Sequence, residues 1–200
     1  MTRRDPRIAA LILAAGRGTR FGPAPKMLAP FDGRPLVRHA VEAALASAAR
    51  PVMVVLGAHA IALRTALAGL PVETVENPAF AEGLSTSLRA GLAALPRDIE
   101  AVLVLLGDMP RIGPAHLDAL SAAYAAADPR PCAVVPVHGG RRGNPVLLDL
   151  ARLGPDLAGL TGDRGAGPIL TGRSDVLEVA GDGSVTLDID TPAALADGRG

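Results

Sequence analysis

The sequence predicts an α/β fold: a single doubly wound, mostly parallel sheet in one domain over residues 1–200. Three observations predict it. Short, unalternated runs of Val, Ile and Leu recur along the chain, as strands buried on both faces require. Alanine-rich stretches of helical length separate them, and such alternation gives βαβ units with helices on both faces. Near the end, Asp182-Gly183 joins two further apolar runs, which reads as a C-terminal β-hairpin extension.

The expected strands are 8–13, 52–56, 72–75, 102–106 and 133–137. The expected helices are 35–49, 58–68, 85–95 and 114–127. Pro35 and Pro114 suit a first helical turn, where a missing N–H costs nothing. Glycine- and arginine-rich turns follow at 138–144 and 159–167, then the hairpin strands 176–180 and 185–189. Thr191 or Asp190 caps a short final helix, with Pro192 in its first turn.

Composition narrows the function classes. Apolar residues make up 49 % of the chain, enough for a core without metal or disulfide staples. Twenty basic residues balance twenty acidic ones, so no electrostatic footprint for nucleic acid or an anionic membrane exists. Aromatics are 2 %, which leaves no stacking platform for single-stranded bases. The sole cysteine, Cys132, excludes an internal disulfide framework and reads as a small core residue. Arg3-Arg4 ahead of an apolar run has the outline of an export signal, but the run is short and leads into Arg17 and Arg20. It reads as the first strand, and no stretch is long enough to span a membrane. A cytoplasmic location is expected.

Ligands of open α/β sheets bind at the carboxyl ends of the strands. The first such end carries Leu13-Ala14-Ala15-Gly16-Arg17-Gly18-Thr19-Arg20-Phe21-Gly22 and runs on to Lys26. Glycines there let backbone N–H groups converge on phosphate oxygens, while Arg17, Arg20 and Lys26 supply positive charge. Phe21 stands where a dinucleotide fingerprint needs glycine, and Lys26 is followed by Met27, so neither standard phosphate motif fits. A flexible surface loop is the alternative. Lys26 is also the only lysine beside nineteen arginines, which singles it out for a specific role. Asp108, at the end of the fourth strand in Gly107-Asp108-Met109-Pro110, is placed to hold Mg²⁺ on a nucleotide's phosphates, or to cap a turn. Alternation puts Asp188 and Asp190 on one face of the last strand, where either can complete a metal site. The histidines His39, His59, His116 and His138 show no metal spacing, and only His138 lies near a candidate loop.

Three segments in order, 13–26, Gly107–Pro110 and Asp188–Pro192, resemble the nucleotidyltransferases that complete molybdenum cofactor, within the Rossmann-like NTP transferase fold. Asn77 with Glu82-Gly83-Leu84-Ser85-Thr86-Ser87, Arg142-Gly143-Asn144-Pro145-Val146 and Gly162-Asp163-Arg164-Gly165-Ala166 agree with that family. Leu-Ala-Ala-Gly resembles the cytidylyltransferase branch, since GTP-using relatives have glycine at the position of Ala15. The chain departs from the pattern at Asn144 and Gly167, where many relatives carry histidine and arginine.

The resemblance implies a Mg²⁺-dependent transfer of CMP from CTP to the terminal phosphate of molybdopterin, with release of pyrophosphate. It implies Mg²⁺ on Asp108 and Asp190, a triphosphate cradled by Gly16, Arg17, Gly18 and Lys26, and a base near Ala14, Ala15 and Ser87. Lys26, Arg17 and Asp108 would be catalytic, and Asn144, Asp163, Arg164 and Gly165 would lie on the acceptor side. A phosphate monoester is mostly dianionic at neutral pH and needs no general base, so positioning and charge stabilisation suffice. A client molybdoenzyme of the xanthine dehydrogenase type would be a partner. Guanylation of the same cofactor and transfer to a sugar phosphate are rival activities. A cofactor-delivery protein without catalysis is the rival outside enzymes.

Overall fold

The computed structural model describes residues 4–22 and 24–197. Strand β1 (Ile8–Leu13) opens the chain, and a small hairpin of β2 (Pro30–Phe31) and β3 (Arg34–Pro35) leads into helix α1 (Leu36–Ala46). Next come β4 (Val52–Leu56), α2 (Ala60–Ala66), β5 (Glu73–Glu76), α3 (Leu84–Ala94), β6 (Ala101–Leu106) and α4 (Pro114–Ala126). The remainder is β7 (Ala133–His138), β8 (Arg141–Arg142), β9 (Val146–Asp149), α5 (Leu150–Ala158), α6 (Gly167–Leu170), β10 (Val176–Ala180) and α7 (Pro192–Asp197).

Seven strands run in the order β10-β7-β9-β6-β1-β4-β5, with β8 paired to β7 as the eighth. Strands β6, β1, β4 and β5 are mutually parallel, with Leu13 of β1 level with Leu106 of β6. Strand β9 inserts antiparallel between β6 and β7, and β10 lies parallel to β7 at the edge. The expected mostly parallel sheet is therefore present, with one reversed strand in its interior.

Both faces of the sheet are covered, which explains why its strands carry no polar alternation. Val37, Val41, Leu63, Leu117 and Leu120, from α1, α2 and α4, pack against Ala10, Ile12, Val54 and Leu103. On the other face Leu88, Leu153, Leu157 and Leu170, from α3, α5 and α6, pack against Leu11, Leu13, Val55 and Val104. Among the described residues, no helix is long and apolar enough to cross a membrane.

A third, smaller cluster lies outside the sheet. Phe21, Ala29, Phe31, Leu36, Ile189 and Leu195 bury one another. They join the long connection after β1 to the segment before α7, two stretches far apart in sequence. The Ile189 N–H also donates to the Asp108 carbonyl at 3.0 Å, which ties that segment to the end of β6.

The C-terminal hairpin does not form. Residues 183–186 make a 3₁₀ turn, because the Asp182 carboxylate accepts the Ser184 N–H and starts a turn on its own side chain. Val185 then drops into the core, and residues 187–190 join no strand of the sheet. Strand alternation nevertheless holds there, with Ile189 buried between outward Asp188 and Asp190. Of the two cap candidates for α7, Thr191 serves, since its hydroxyl accepts the Ala194 N–H at 3.1 Å.

Truncating Ile189, fully buried in the small cluster, to alanine should cost about 2–5 kcal/mol of stability. Urea unfolding of Ile189→Ala beside the unaltered protein measures it.

Candidate active site

The connection after β1 crosses the carboxyl edge of the sheet and returns beside its start. Gly18 sits at φ 63°, and a Cβ there would stand 2.8 Å from the Lys26 Cβ. The absent side chain lets the loop close on itself and bring Lys26 back over the sheet. Lys26 begins a 3₁₀ turn, and its side chain is 10 % exposed.

Burying an ammonium requires partners, and two carboxylates provide them. Lys26 Nζ lies 2.5 Å from Asp108 Oδ2 and 2.9 Å from Asp190 Oδ1. Arg20 reaches Asp190 from the solvent side at 2.9 Å, with its side chain 79 % exposed. Burial pushes the Lys26 ammonium down, but the Asp108 and Asp190 carboxylates outweigh it and hold its pKa above the usual lysine range. Asp108 moves up, because burial and the nearby Asp188 charge together exceed the pull of Lys26. Asp190 moves down, chiefly through the hydrogen bond from Lys26.

Only half of the Asp108 carboxylate is satisfied. Oδ1 is buried and has no hydrogen-bond partner among the described residues. An orphaned carboxylate oxygen beside Asp188 and Asp190 is a donor set of hard oxygens, which fits a divalent cation such as Mg²⁺ or Mn²⁺. Among the described residues, no three acidic, histidine or cysteine side chains converge closely enough to hold a metal ion by themselves. Such an open set suits a cation that also takes ligands from phosphate and water.

Around this cluster lies a cleft of about 660 Å³, lined by Ala15, Gly16, Arg17, Gly18, Lys26, Ser87, Asp108, Asp188 and Asp190. Arg17 stacks over the Phe80 ring at 5.5 Å, and Phe80 lines the same wall. Ala14 stands apart from this set. It is buried, its N–H donates to the Val55 carbonyl, and it does not line the cleft.

A second cavity of about 610 Å³ adjoins the first and shares Leu13, Leu84, Leu106 and Asp163 with it. Asn144, Asp163, Arg164 and Gly165, the expected acceptor-side residues, all line it, and so does Arg142. Its floor is apolar, from Leu88, Val104 and Val135 among others. Gly83 makes the junction possible. At φ 116° it begins α3, and a Cβ there would lie 2.3 Å from the Gly162 carbonyl carbon. The Ser85 N–H donates to that carbonyl at 3.1 Å, which holds the 162–165 turn between the cavities.

Residues 10–177 match the model of the MobA-like NTP transferase domain. The chain belongs to the MobA-like NTP transferase family. This MobA-like chain is 34 % identical to nicotine blue oxidoreductase of Paenarthrobacter nicotinovorans, over 93 % of both chains. It is 43 % identical to the bifunctional protein GlmU of Kineococcus radiotolerans over 59 % of its own length, spanning 25 % of that relative. Among solved structures, Rv0371c of Mycobacterium tuberculosis superposes with a TM-score of 0.85 at 28 % identity, covering 98 % of this chain and 99 % of the other. A structure described as an Rv0371c complex with manganese superposes with a TM-score of 0.79, also at 28 % identity, over 96 % and 97 % of the two chains.

Most of the candidate residues of this MobA-like chain line one cavity or the other, and so do two residues that the sequence did not signal. Phe80 gave no signal, because a lone aromatic in a loop carries no pattern. The role of Leu84 at the seam of the cavities depends on Gly83 touching Gly162, a contact without sequence periodicity. His138 turns away, its ring near the Gly181 carbonyl, and lines neither cavity.

The lowered pKa of Asp190 carries a pH signature. Its folded value lies below the unfolded one, so its contribution to stability is present at neutral pH and is lost as pH falls through the carboxylate range. Asp190→Asn should flatten the acid limb of the stability profile, read by urea unfolding from pH 6 down to pH 3.

Proposed function

We propose that this nucleotidyltransferase moves CMP from CTP onto the terminal phosphate of molybdopterin and releases pyrophosphate, acting as one domain. The observation that carries the reading is the pair of adjoining cavities, with the Lys26–Asp108–Asp190 cluster in the first of them. The first cavity has the glycines, cations and carboxylates that a metal–triphosphate needs. The second combines an apolar floor with Arg142 and Arg164, as a flat heterocycle bearing a phosphate requires. Rv0371c, similar over nearly its whole length, has a structure described as a manganese complex, which supports a divalent cation here.

In this reading Asp108 and Asp190 would hold Mg²⁺, which would supply charge neutralisation on the phosphates. Gly16, Arg17 and Gly18 orient the triphosphate, and Lys26 turns from its carboxylates to the phosphate oxygens where negative charge grows. The acceptor is already a phosphate dianion and attacks the α-phosphorus without proton transfer, while pyrophosphate leaves. Asn144 and the 163–165 turn seat the acceptor.

The relation to nicotine blue oxidoreductase favours a second reading, reduction of a heterocyclic substrate. Phe21 counts against it: this residue occupies the third glycine position of a dinucleotide fingerprint and is buried in the small cluster. Pyrophosphate release from CTP with molybdopterin, run beside oxidation of a nicotinamide cofactor, separates the two. Pyrophosphate release that requires both substrates is expected; cofactor oxidation without it overturns the transfer reading.

Ala15 should select the nucleotide, since its methyl stands where GTP-using relatives have glycine. CTP should be used in preference to GTP, and Ala15→Gly should relax that choice. Equal turnover of CTP and GTP by the unaltered protein would refute it.

Lys26→Arg keeps the charge but replaces a compact ammonium with a planar fork. The space between Asp108 and Asp190 is matched to one nitrogen, and the lysine side chain is buried. A loss of about 10²–10³ in turnover is expected, by comparison with single donors of oxyanion sites. Steady-state kinetics beside a melting curve check that the loss is in chemistry and not in folding.

A further inference from the structure

Asn77 lies just beyond β5, is 3 % exposed and lines neither cavity, yet all of its hydrogen-bonding groups are committed around the start of α3. Its Oδ1 accepts the Ala79 N–H at 3.0 Å. That contact fixes which way the amide faces, since a flipped amide would set two donors against each other. Nδ2 must then point at hydroxyls, and it donates to Thr86 Oγ1 at 2.8 Å and to Ser87 Oγ at 3.0 Å. The single Thr86 proton is absorbed locally, with the Gly83 and Ala79 carbonyls 2.8 and 3.0 Å away.

Ser87 differs. Its oxygen accepts from Asn77, and its own proton meets no acceptor among the described residues. Ser87 lines the nucleotide cleft. A hydroxyl with its oxygen engaged from behind presents its proton to whatever enters that cleft.

We infer that Asn77 is a positioning residue that holds the Ser87 hydroxyl as a hydrogen-bond donor toward the bound base, so that this wall selects a base edge bearing acceptors. The inference deepens the nucleotide reading above and rests on it. Cytosine offers adjacent acceptors at O2 and N3, whereas uracil presents an N–H at position 3. A buried donor facing a donor is left unpaired, and that mismatch is what discriminates.

Replacing Asn77 with its isostere Asp reverses the arrangement. The carboxylate retains the acceptor for the Ala79 N–H but now takes the Ser87 proton, leaving an oxygen lone pair facing the cleft. The unaltered protein is first titrated calorimetrically with CTP, UTP, GTP and ATP in the presence of MgCl₂. Absence of binding by all four overturns both the nucleotide reading and this inference. Tightest binding of UTP overturns this inference; tightest binding of ATP or GTP overturns the choice of CTP alone, and the variants are then titrated with that nucleotide.

Asn77→Asp should weaken binding about ten-fold or more, the effect of one mispaired buried hydrogen bond. Asn77→Ala, which frees the Ser87 hydroxyl to rotate, should weaken it less. A merely structural Asn77 gives the opposite order, because Asp preserves shape and the Ala79 contact while Ala preserves neither. Both substitutions are repeated in a Ser87→Ala background, where they should add no further loss. An undiminished loss there, or a milder effect of Asp than of Ala, overturns the inference. If Asn77→Asp fails to fold, the Asn77→Ala and Ser87→Ala cycle decides alone: coupling supports the inference and additivity overturns it.

Discussion

One buried ammonium organises the carboxyl edge of this sheet. Two carboxylates in a cleft repel each other, and Asp108 is further disfavoured by burial. Lys26 between them makes the cluster tolerable. Its position depends in turn on the Gly18 turn and on the cluster around Phe21, Phe31 and Ile189, which brings the lysine loop and the Asp190 segment to the same place. The small cluster is therefore as important to the site as the two larger cores, although it touches few strands.

The sheet divides the work. Its parallel half, β5-β4-β1-β6, ends in the connection that carries Lys26 and in Asp108. Across the reversed β9 lies the half that supplies Arg142, Asn144 and the floor of the second cavity. The start of α3 stands at the boundary, with Gly83 against Gly162 and Leu84 in both cavities. The two cavities thus meet at a line where two differently built halves of one sheet adjoin.

Much of this was legible in the chain. The strands at 8–13 and 52–56 appear with the expected bounds, because short Val- and Leu-rich runs flanked by turns have little else to become. Helix ends moved by a few residues, as at α2, where fraying at Ala58 and Ala68 leaves Ala60–Ala66. Strand β9 was not expected, since Val146–Asp149 is short and sits between turns, and its pairing with β6 and β7 is non-local. The hairpin expectation failed because Asp182 can satisfy the Ser184 N–H by itself, and local side-chain bonding then beats strand pairing. In the site, residue types were readable but partnerships were not. Lys26 meets acids 82 and 164 positions away, a closure that only the folded chain defines.

The reversed strand has a consequence for diversification. Because β9 stands between β7 and the strands that carry the Lys26 connection, the exposed Gly139–Gly140 turn at the far end of β7 can lengthen or change charge without altering the geometry around Lys26. On the proposed reading, a lineage built on this plan can trade one acceptor for another while its nucleotide chemistry is inherited intact. Such change stops short of the 188–190 segment, which follows β9 in the chain but belongs with Lys26 in space.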